Sequence, residues 1–179
     1  AGVARVTDPR GTGQPGFLSR LYAAAKKNDS LVCVGLDPEL EKLPAHIRAL
    51  PQSIFEFNRR IVDATAEYAS CYKPQFAHYA ALGAEDQLLA TIGYIHEKHP
   101  GLPVILDSKR GDIGSTAAKY GQESFERYGA DAVVLASDYE GLSMSVIEAM
   151  RAARPVVANR LPGLRDAIED HRSGLFCDL

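Results

Sequence analysis

The sequence lacks the features that mark membrane-spanning, secreted and nucleic-acid-binding proteins. Its 179 residues contain no apolar run near the roughly 20 residues needed to span a bilayer. No charged-then-apolar signal segment opens the chain. The formal net charge is -3, so the protein has no excess of positive charge that would attract nucleic acid or an acidic membrane. We therefore expect a cytoplasmic protein that binds neither.

Cysteine is also scarce. The three cysteines, Cys33, Cys71 and Cys177, have no metal-like spacing, so we expect no metal site. Cys33 and Cys71 lie inside apolar, strand-like runs, which predicts that both are buried free thiols. Free thiols fit a reducing cytoplasm.

The composition is that of a soluble globular protein, with 46% hydrophobic and 24% charged residues. The length suits one domain or one and a half. Residues 1–16 are rich in glycine and proline and show no periodicity, which predicts a flexible leader.

From residue 17 onward, short apolar runs alternate with segments of helical periodicity. Ser53 and Glu56 have the spacing of a capping box at the start of the first predicted helix. The alternation predicts a parallel α/β sheet of about five or six strands, either a partial (β/α) barrel or an open Rossmann-like sheet. The predicted strands are 31–36, 71–76, 104–107, 132–136, 155–158 and 174–177, and the predicted helices are 53–69, 84–98, 114–128, 142–153 and 162–170.

Charged residues gather at the carboxyl ends of the first three strands, where α/β folds place their active sites. Asp107 and Lys109 are two residues apart and point to the same side. Lys73 ends the neighbouring strand, Asp37 follows the first strand, and Asp112 lies just beyond the third. A buried array of alternating lysines and aspartates usually marks function. From spacing alone, a solvated ion pair with a loop aspartate explains the pattern equally well.

Three stretches resemble the orotidine 5'-monophosphate decarboxylase family: residues 31–45, 61–86 and 104–118. They contain the motifs GLDP, YKPQ and DSKRGDI, and the similarity covers roughly residues 17–134. The resemblance implies a (β/α) barrel that converts orotidine 5'-monophosphate to uridine 5'-monophosphate in pyrimidine biosynthesis, without metal or cofactor. A fixed ammonium group would stabilise and then protonate the carbanion.

The resemblance also implies roles for individual residues. Lys109 would be the proton donor, and Asp107 would disfavour the substrate carboxylate in the ground state. Lys73 and Asp37 would contact the ribose hydroxyls. Asp112 would enter the site of a partner subunit in a homodimer. Substrate-binding positions would also include Ile113 and Thr116.

After residue 134 the sequence resembles the C-terminal domain of nucleotide-sugar glycosyltransferases, over about residues 131–179. Glu140 and Glu148 match the E-x7-E pattern that contacts the donor sugar and its ribose in that family. The alternative interpretation is that Glu140 is an acidic residue at a helix N-terminus and that Glu148 is an ordinary surface residue.

The two resemblances predict a chimera: a leader, a partial decarboxylase-like barrel over 17–134, and a glycosyltransferase-like segment over 135–179. The arginine-bearing loops that grip phosphate in the decarboxylases have no counterpart here, which predicts impaired decarboxylase activity. The alternatives are a module that binds a nucleotide-sugar and an inactive α/β scaffold.

Overall fold

The computed structural model describes residues 15–108, 119–135, 146, 150, 156–160, 162–165, 168 and 174–177. The chain divides into two compact units. The N-terminal unit is Leu18–Ile105, and the C-terminal unit is Leu106–Leu179 together with Ala1–Phe17. Most of the predicted leader lies outside the described residues, and a domain boundary near residue 134 stays a prediction.

The N-terminal unit contains alternating strands and helices. Sequence analysis located β1, α3, β2 and α5 to within a few residues but did not identify α1, α2 and α4. Helices α2 and α4 have four and five residues, too few for a clear apolar period. The elements are α1 (Phe17–Asn28), β1 (Val32–Leu36), a 3-10 turn (Leu40–Lys42), α2 (Ala45–Arg48), α3 (Ser53–Thr65), β2 (Ala69–Pro74), α4 (Phe76–Ala80) and α5 (Glu85–Lys98).

Strands β1 and β2 form a parallel two-stranded sheet, in which Cys33 pairs with Cys71. Beyond β2, the amide of Tyr72 donates to the carbonyl of Pro103 at 3.1 Å, and a single bridge joins Tyr72 to Val104. Pro103 has no amide hydrogen, so its backbone cannot donate a hydrogen bond to a neighbouring strand. The pairing between β2 and the start of the third strand is therefore limited to this bridge.

Strand β1 is more exposed than predicted. Leu36 is buried, but Val32 is 53% exposed and Cys33 is also exposed. A continuous apolar run predicts a strand covered on both faces, whereas β1 has β2 as its one paired neighbour among the described residues. The prediction that Cys33 is buried is wrong, and the same prediction for Cys71 is confirmed.

Helices α3 and α5 pack together in the core of this unit. Helix α3 buries Ile54, Asn58 and Val62, which lie four residues apart on one face. Two other apolar residues of the helix, Phe57 and Ile61, are only half-buried. A polar residue, Asn58, thus occupies the centre of the buried stripe and is fully enclosed.

The start of α3 differs from the predicted capping box. Ser53 is the first helical residue, and the residue before it, Gln52, has a left-handed backbone with φ 53° and makes no side-chain cap. The cap comes instead from α5. The Oε1 atom of Gln87 accepts hydrogen bonds from the amides of Ile54 and Phe55, both at 3.1 Å. Two of the amides that a helix N-terminus leaves unsatisfied are met in this way.

Replacing Gln87 by alanine should destabilise the protein by about 1 kcal/mol, since it removes the acceptor for two helix N-terminal amides. Glutamate at position 87 keeps the acceptor and places a negative charge near the positive end of α3, so Gln87→Glu should retain most of the stability. Urea unfolding of the two variants measures the difference. If both variants lose the same free energy of unfolding, Gln87 does not stabilise the protein through this cap.

The C-terminal unit holds a parallel sheet with strand order β3-β4-β5-β6. Strands β4, β5 and β6 pair in parallel in sequence order. The described strands fall close to their predicted positions and form two partial sheets, so a single sheet of five or six strands stays a prediction. The elements are β3 (Ile105–Asp107), a π-helical segment (Gln122–Arg127), β4 (Ala132–Leu135), β5 (Val156–Asn159), α6 (Pro162–Arg165) and β6 (Gly174–Cys177).

Two predicted helices in this unit are described only in part. Residues 119–121 are α-helical and lead into the π-helical segment, and residues 146 and 150 are helical. Buried side chains on β4, β5 and α6 include Ala132, Val156 and Leu164. In the part of the chain that the structure describes, no helix is both long and apolar enough to traverse a bilayer.

Candidate functional site

Two charged side chains lie at the carboxyl edge of the β1–β2 sheet. Asp37 directly follows β1, and Lys73 is the next-to-last residue of β2. The register pairs Gly35 with Lys73, so both strands end at the same edge. The structure thus brings together two of the residues predicted from the sequence.

The Asp37 carboxylate makes two polar contacts. Its Oδ2 atom lies 3.6 Å from Nζ of Lys73, and its Oδ1 atom accepts a hydrogen bond from the amide of Gln75 at 3.0 Å. The Asp37 and Lys73 side chains are 37% and 29% exposed, so solutes can reach both. The Gln75 amide fixes the carboxylate, and the Lys73 ammonium group lies beside it at the partly exposed end of β2.

Buried hydrogen bonds support the end of β1 from below. The hydroxyl of Tyr79 donates to the carbonyl of Leu36 at 2.8 Å and accepts from Nδ2 of Asn58 at 2.9 Å. Burial raises the pKa of Tyr79, so the phenol stays protonated and keeps this bond at neutral pH. Nδ2 of Asn58 also approaches Oγ1 of Thr91 at 3.3 Å. Sequence analysis missed this network, because an asparagine on an apolar helix face gives no signal of its partners.

Asp107 belongs to the C-terminal unit, where it is the last residue of β3. It is 7% exposed, and Ser108 after it is 8% exposed. Aspartate is rarely buried to this degree without a specific role. The burial is the environment expected of a functional carboxylate.

The remaining predicted site residues lie outside the described residues: Lys109, Asp112, Ile113, Thr116, Glu140 and Glu148. The full charged array of Asp37, Lys73, Asp107, Lys109 and Asp112 therefore stays a prediction, as does the glycosyltransferase-like pair of glutamates. Among the residues that the structure does describe, no group of three or more histidine, cysteine, aspartate or glutamate side chains could hold a metal ion.

Comparison with known proteins places the site in a family. The model of the orotidine 5'-phosphate decarboxylase / HUMPS family matches residues 30–160, which is most of the chain. The chain belongs to this family. Both contacts of Asp37, and the strands that carry Lys73 and Asp107, lie inside the matched range.

Curated relatives of the family are closely similar over part of their length. The orotidine 5'-phosphate decarboxylase of Dechloromonas aromatica is 60% identical over 119 residues, 66% of this chain and 44% of that protein. The enzyme of Ralstonia pickettii is 56% identical over 125 residues, 70% of this chain and 46% of that protein. The chain therefore spans less than half the length of these relatives.

Solved structures of the family share the fold. Leishmania donovani orotidine-monophosphate decarboxylase matches with a TM-score of 0.63 and 32% identity, over 80% of this chain and 52% of that one. The Leishmania donovani UMP synthase matches with a TM-score of 0.64 and 33% identity, over 80% of this chain and 29% of that one. These similarities indicate the barrel type of α/β fold rather than an open Rossmann-like sheet.

The family match also bears on the predicted junction. It extends to residue 160, well past residue 134, where the decarboxylase resemblance was expected to stop. The comparisons give no support to the glycosyltransferase resemblance of residues 131–179. The family therefore accounts for more of the chain than the sequence motifs indicated.

Proposed function

We propose that the chain carries part of the active site of an orotidine 5'-phosphate decarboxylase, which converts orotidine 5'-monophosphate (OMP) to uridine 5'-monophosphate (UMP) and CO2. The proposal is supported by the family membership and by relatives of that name at 56–60% identity. The observation that carries it is the Asp37–Lys73 pair at the carboxyl edge of β1 and β2. This is the edge at which barrel enzymes place their chemistry.

The proposed chemistry needs no cofactor. The bond between the pyrimidine ring and its carboxylate breaks, the electron pair stays on the ring carbon, and CO2 leaves. The Lys109 ammonium stabilises this carbanion and then gives it a proton. Asp107 faces the substrate carboxylate and raises the energy of the ground state, while Asp37 and Lys73 bind the ribose hydroxyls.

The side chains of the Asp37–Lys73 pair suit a ribose. A carboxylate accepts hydrogen bonds and an ammonium group donates them. Together they can accept a hydrogen bond from one ribose hydroxyl and donate one to the other. The Gln75 amide keeps the carboxylate in one orientation before the nucleotide arrives. A site fixed in advance loses less entropy on binding.

We further propose that the active form is a homodimer, in which Asp112 and Thr116 of one subunit approach the site of the other. The proposal rests on the family resemblance of the DSKRGDI stretch. It also gives a reason for the position of Asp112, five residues after β3.

The test is to mix the purified chain with OMP and follow both the loss of OMP absorbance and the appearance of UMP. The protein should be made in a host without a decarboxylase of its own. We expect turnover, together with UMP binding at a dissociation constant of about 1 mM or tighter by calorimetry. If the chain shows no turnover and also fails to bind UMP at millimolar nucleotide, the proposal is contradicted.

A further inference from the structure

Two cysteines lie side by side on the face that carries the Asp37–Lys73 pair. Cys33 of β1 and Cys71 of β2 are direct partners in the parallel register. Side chains alternate along a strand, so Cys33 and Asp37 share one face, as do Cys71 and Lys73 on the neighbouring strand. The hydroxyl of Ser70 donates to Sγ of Cys71 at 3.9 Å.

The separation of the two strands suits a disulfide. Neighbouring strands lie about 4.8 Å apart, and disulfides form between residues whose Cα atoms are roughly 4.4–6.8 Å apart. Residues that face each other in register and point to the same side meet both requirements of distance and direction. The register therefore places the two cysteines close enough for a disulfide to form between them.

The environments of the two thiols differ. Cys33 is exposed, whereas Cys71 is 4% exposed. The hydrogen bond from Cys71 lowers the pKa of Cys33, and the Lys73 ammonium lowers it further, against desolvation and the Asp37 charge. The hydrogen bond to Cys33, together with burial, raises the pKa of Cys71. Cys33 is thus the more accessible and more readily ionised thiol, and Cys71 is the buried thiol that ionises less readily.

We propose that Cys33 and Cys71 form a modification site that reacts with small disulfides of the glutathione class. The Cys33 thiolate attacks one sulfur of the small disulfide, the S–S bond breaks, and one small thiolate leaves. Cys71 loses its proton to solvent and attacks the Cys33 sulfur, and the second small thiolate leaves. The two protein thiols give up two electrons, which reduce one small disulfide to two thiols.

The product is a cross-strand disulfide that ties β1 to β2 below the Asp37–Lys73 pair. An excess of reduced small thiol reverses both steps and restores the two cysteines. The proposal does not depend on decarboxylation, because its test measures the chemical state of the cysteine thiols. Its failure and the failure of the proposed function can therefore be told apart.

The experiment uses the full chain carrying Cys177→Ser, so that only the proposed pair can react. The protein is exposed to oxidised glutathione, and intact-mass and peptide analysis follow the products. We expect loss of two hydrogens and a Cys33–Cys71 crosslinked peptide. A further Cys71→Ser change should trap glutathione on Cys33, and a further Cys33→Ser change should give neither adduct nor crosslink.

Three results would overturn the proposal. The first is a stable glutathione adduct on Cys33 while Cys71 is intact, and the second is crosslinking between chains through Cys33. The third is equal reactivity of Cys71 after Cys33→Ser. Circular dichroism checks that each variant is folded. Should a serine variant unfold, rapid alkylation of the parent protein during oxidation traps the mixed disulfide at Cys33 and decides the same question.

The pH dependence of alkylation provides an independent readout. Because the pKa of Cys33 is lowered, its reaction with iodoacetamide should be half-maximal at a lower pH than that of an unperturbed cysteine thiol. Lys73→Met removes a nearby positive charge and should move that midpoint upward. A midpoint at or above the ordinary value in the parent protein would contradict the role given to Cys33.

Discussion

Replacing Lys73 by alanine should lower kcat/KM for OMP on the order of 10³-fold, which corresponds to about 4 kcal/mol of transition-state stabilisation. The Lys73 ammonium lies 3.6 Å from the Asp37 carboxylate at the open edge of the β1–β2 sheet. Without it, Asp37 loses its ion-pair partner, and a bound nucleotide loses a fixed donor. Steady-state assays with OMP give the rate, and calorimetry with UMP gives the loss of binding.

Stability separates a functional from a structural role for Lys73. Ion pairs as exposed as this one contribute no more than about 1 kcal/mol to folding. The free energy of unfolding should therefore change little in Lys73→Ala, while activity falls by orders of magnitude. A loss of activity explained by unfolding would assign Lys73 to the structure instead.

Lys42 provides a matched control. It also pairs with a carboxylate, that of Glu39 at 2.8 Å, but on the exposed 3-10 turn Leu40–Lys42. Lys42→Ala makes the same chemical change and breaks the same kind of ion pair. It should leave kcat/KM within twofold of the parent. If Lys42→Ala and Lys73→Ala lower activity equally, the effect comes from net charge and not from the site.

Replacing Asn58 by alanine should destabilise the protein by about 2–3 kcal/mol. The amide is fully buried and donates to the hydroxyls of Tyr79 and Thr91. Each lost hydrogen bond costs about 1 kcal/mol, and the space left by the side chain adds a cavity cost. Urea unfolding gives the change directly.

Two further variants separate the polar from the packing contribution of Asn58. Asn58→Leu removes the donors but fills the space, and the two hydroxyls keep their own bonds to the carbonyls of Leu36 and Gln87. It should therefore cost less than Asn58→Ala. A double-mutant cycle with Tyr79→Phe measures the coupling, which we expect to be about 0.5–2 kcal/mol. A coupling near zero would mean that the hydrogen bond does not contribute to stability.

The strands were predictable because local sequence sets them. Apolar runs such as the one ending at Leu36 mark strands, and the carboxyl ends of parallel strands lie at one edge of a sheet. This alone predicted that Asp37 and Lys73 would meet. It did not predict the exposure of Cys33, since burial depends on what lies on each side of a strand.

The details that sequence analysis missed depend on partners distant in the chain. Gln87 caps a helix that begins more than thirty residues earlier, so no pattern around Ser53 could reveal it. Asn58 is polar and gives no sign of its burial in the sequence, whereas the packing of α3 on α5 places it at the centre of the buried face. Short helices such as α4 have too few residues for periodicity to appear.

The N-terminal unit is continuous in sequence, from Leu18 to Ile105, and this has a consequence for biosynthesis. Its last backbone link, from Tyr72 to the carbonyl of Pro103, becomes possible as soon as the ribosome has released that stretch. Chains generally fold from the N-terminal side during synthesis. The Asp37–Lys73 edge can therefore be assembled on the nascent chain before the sheet of the C-terminal unit has been translated.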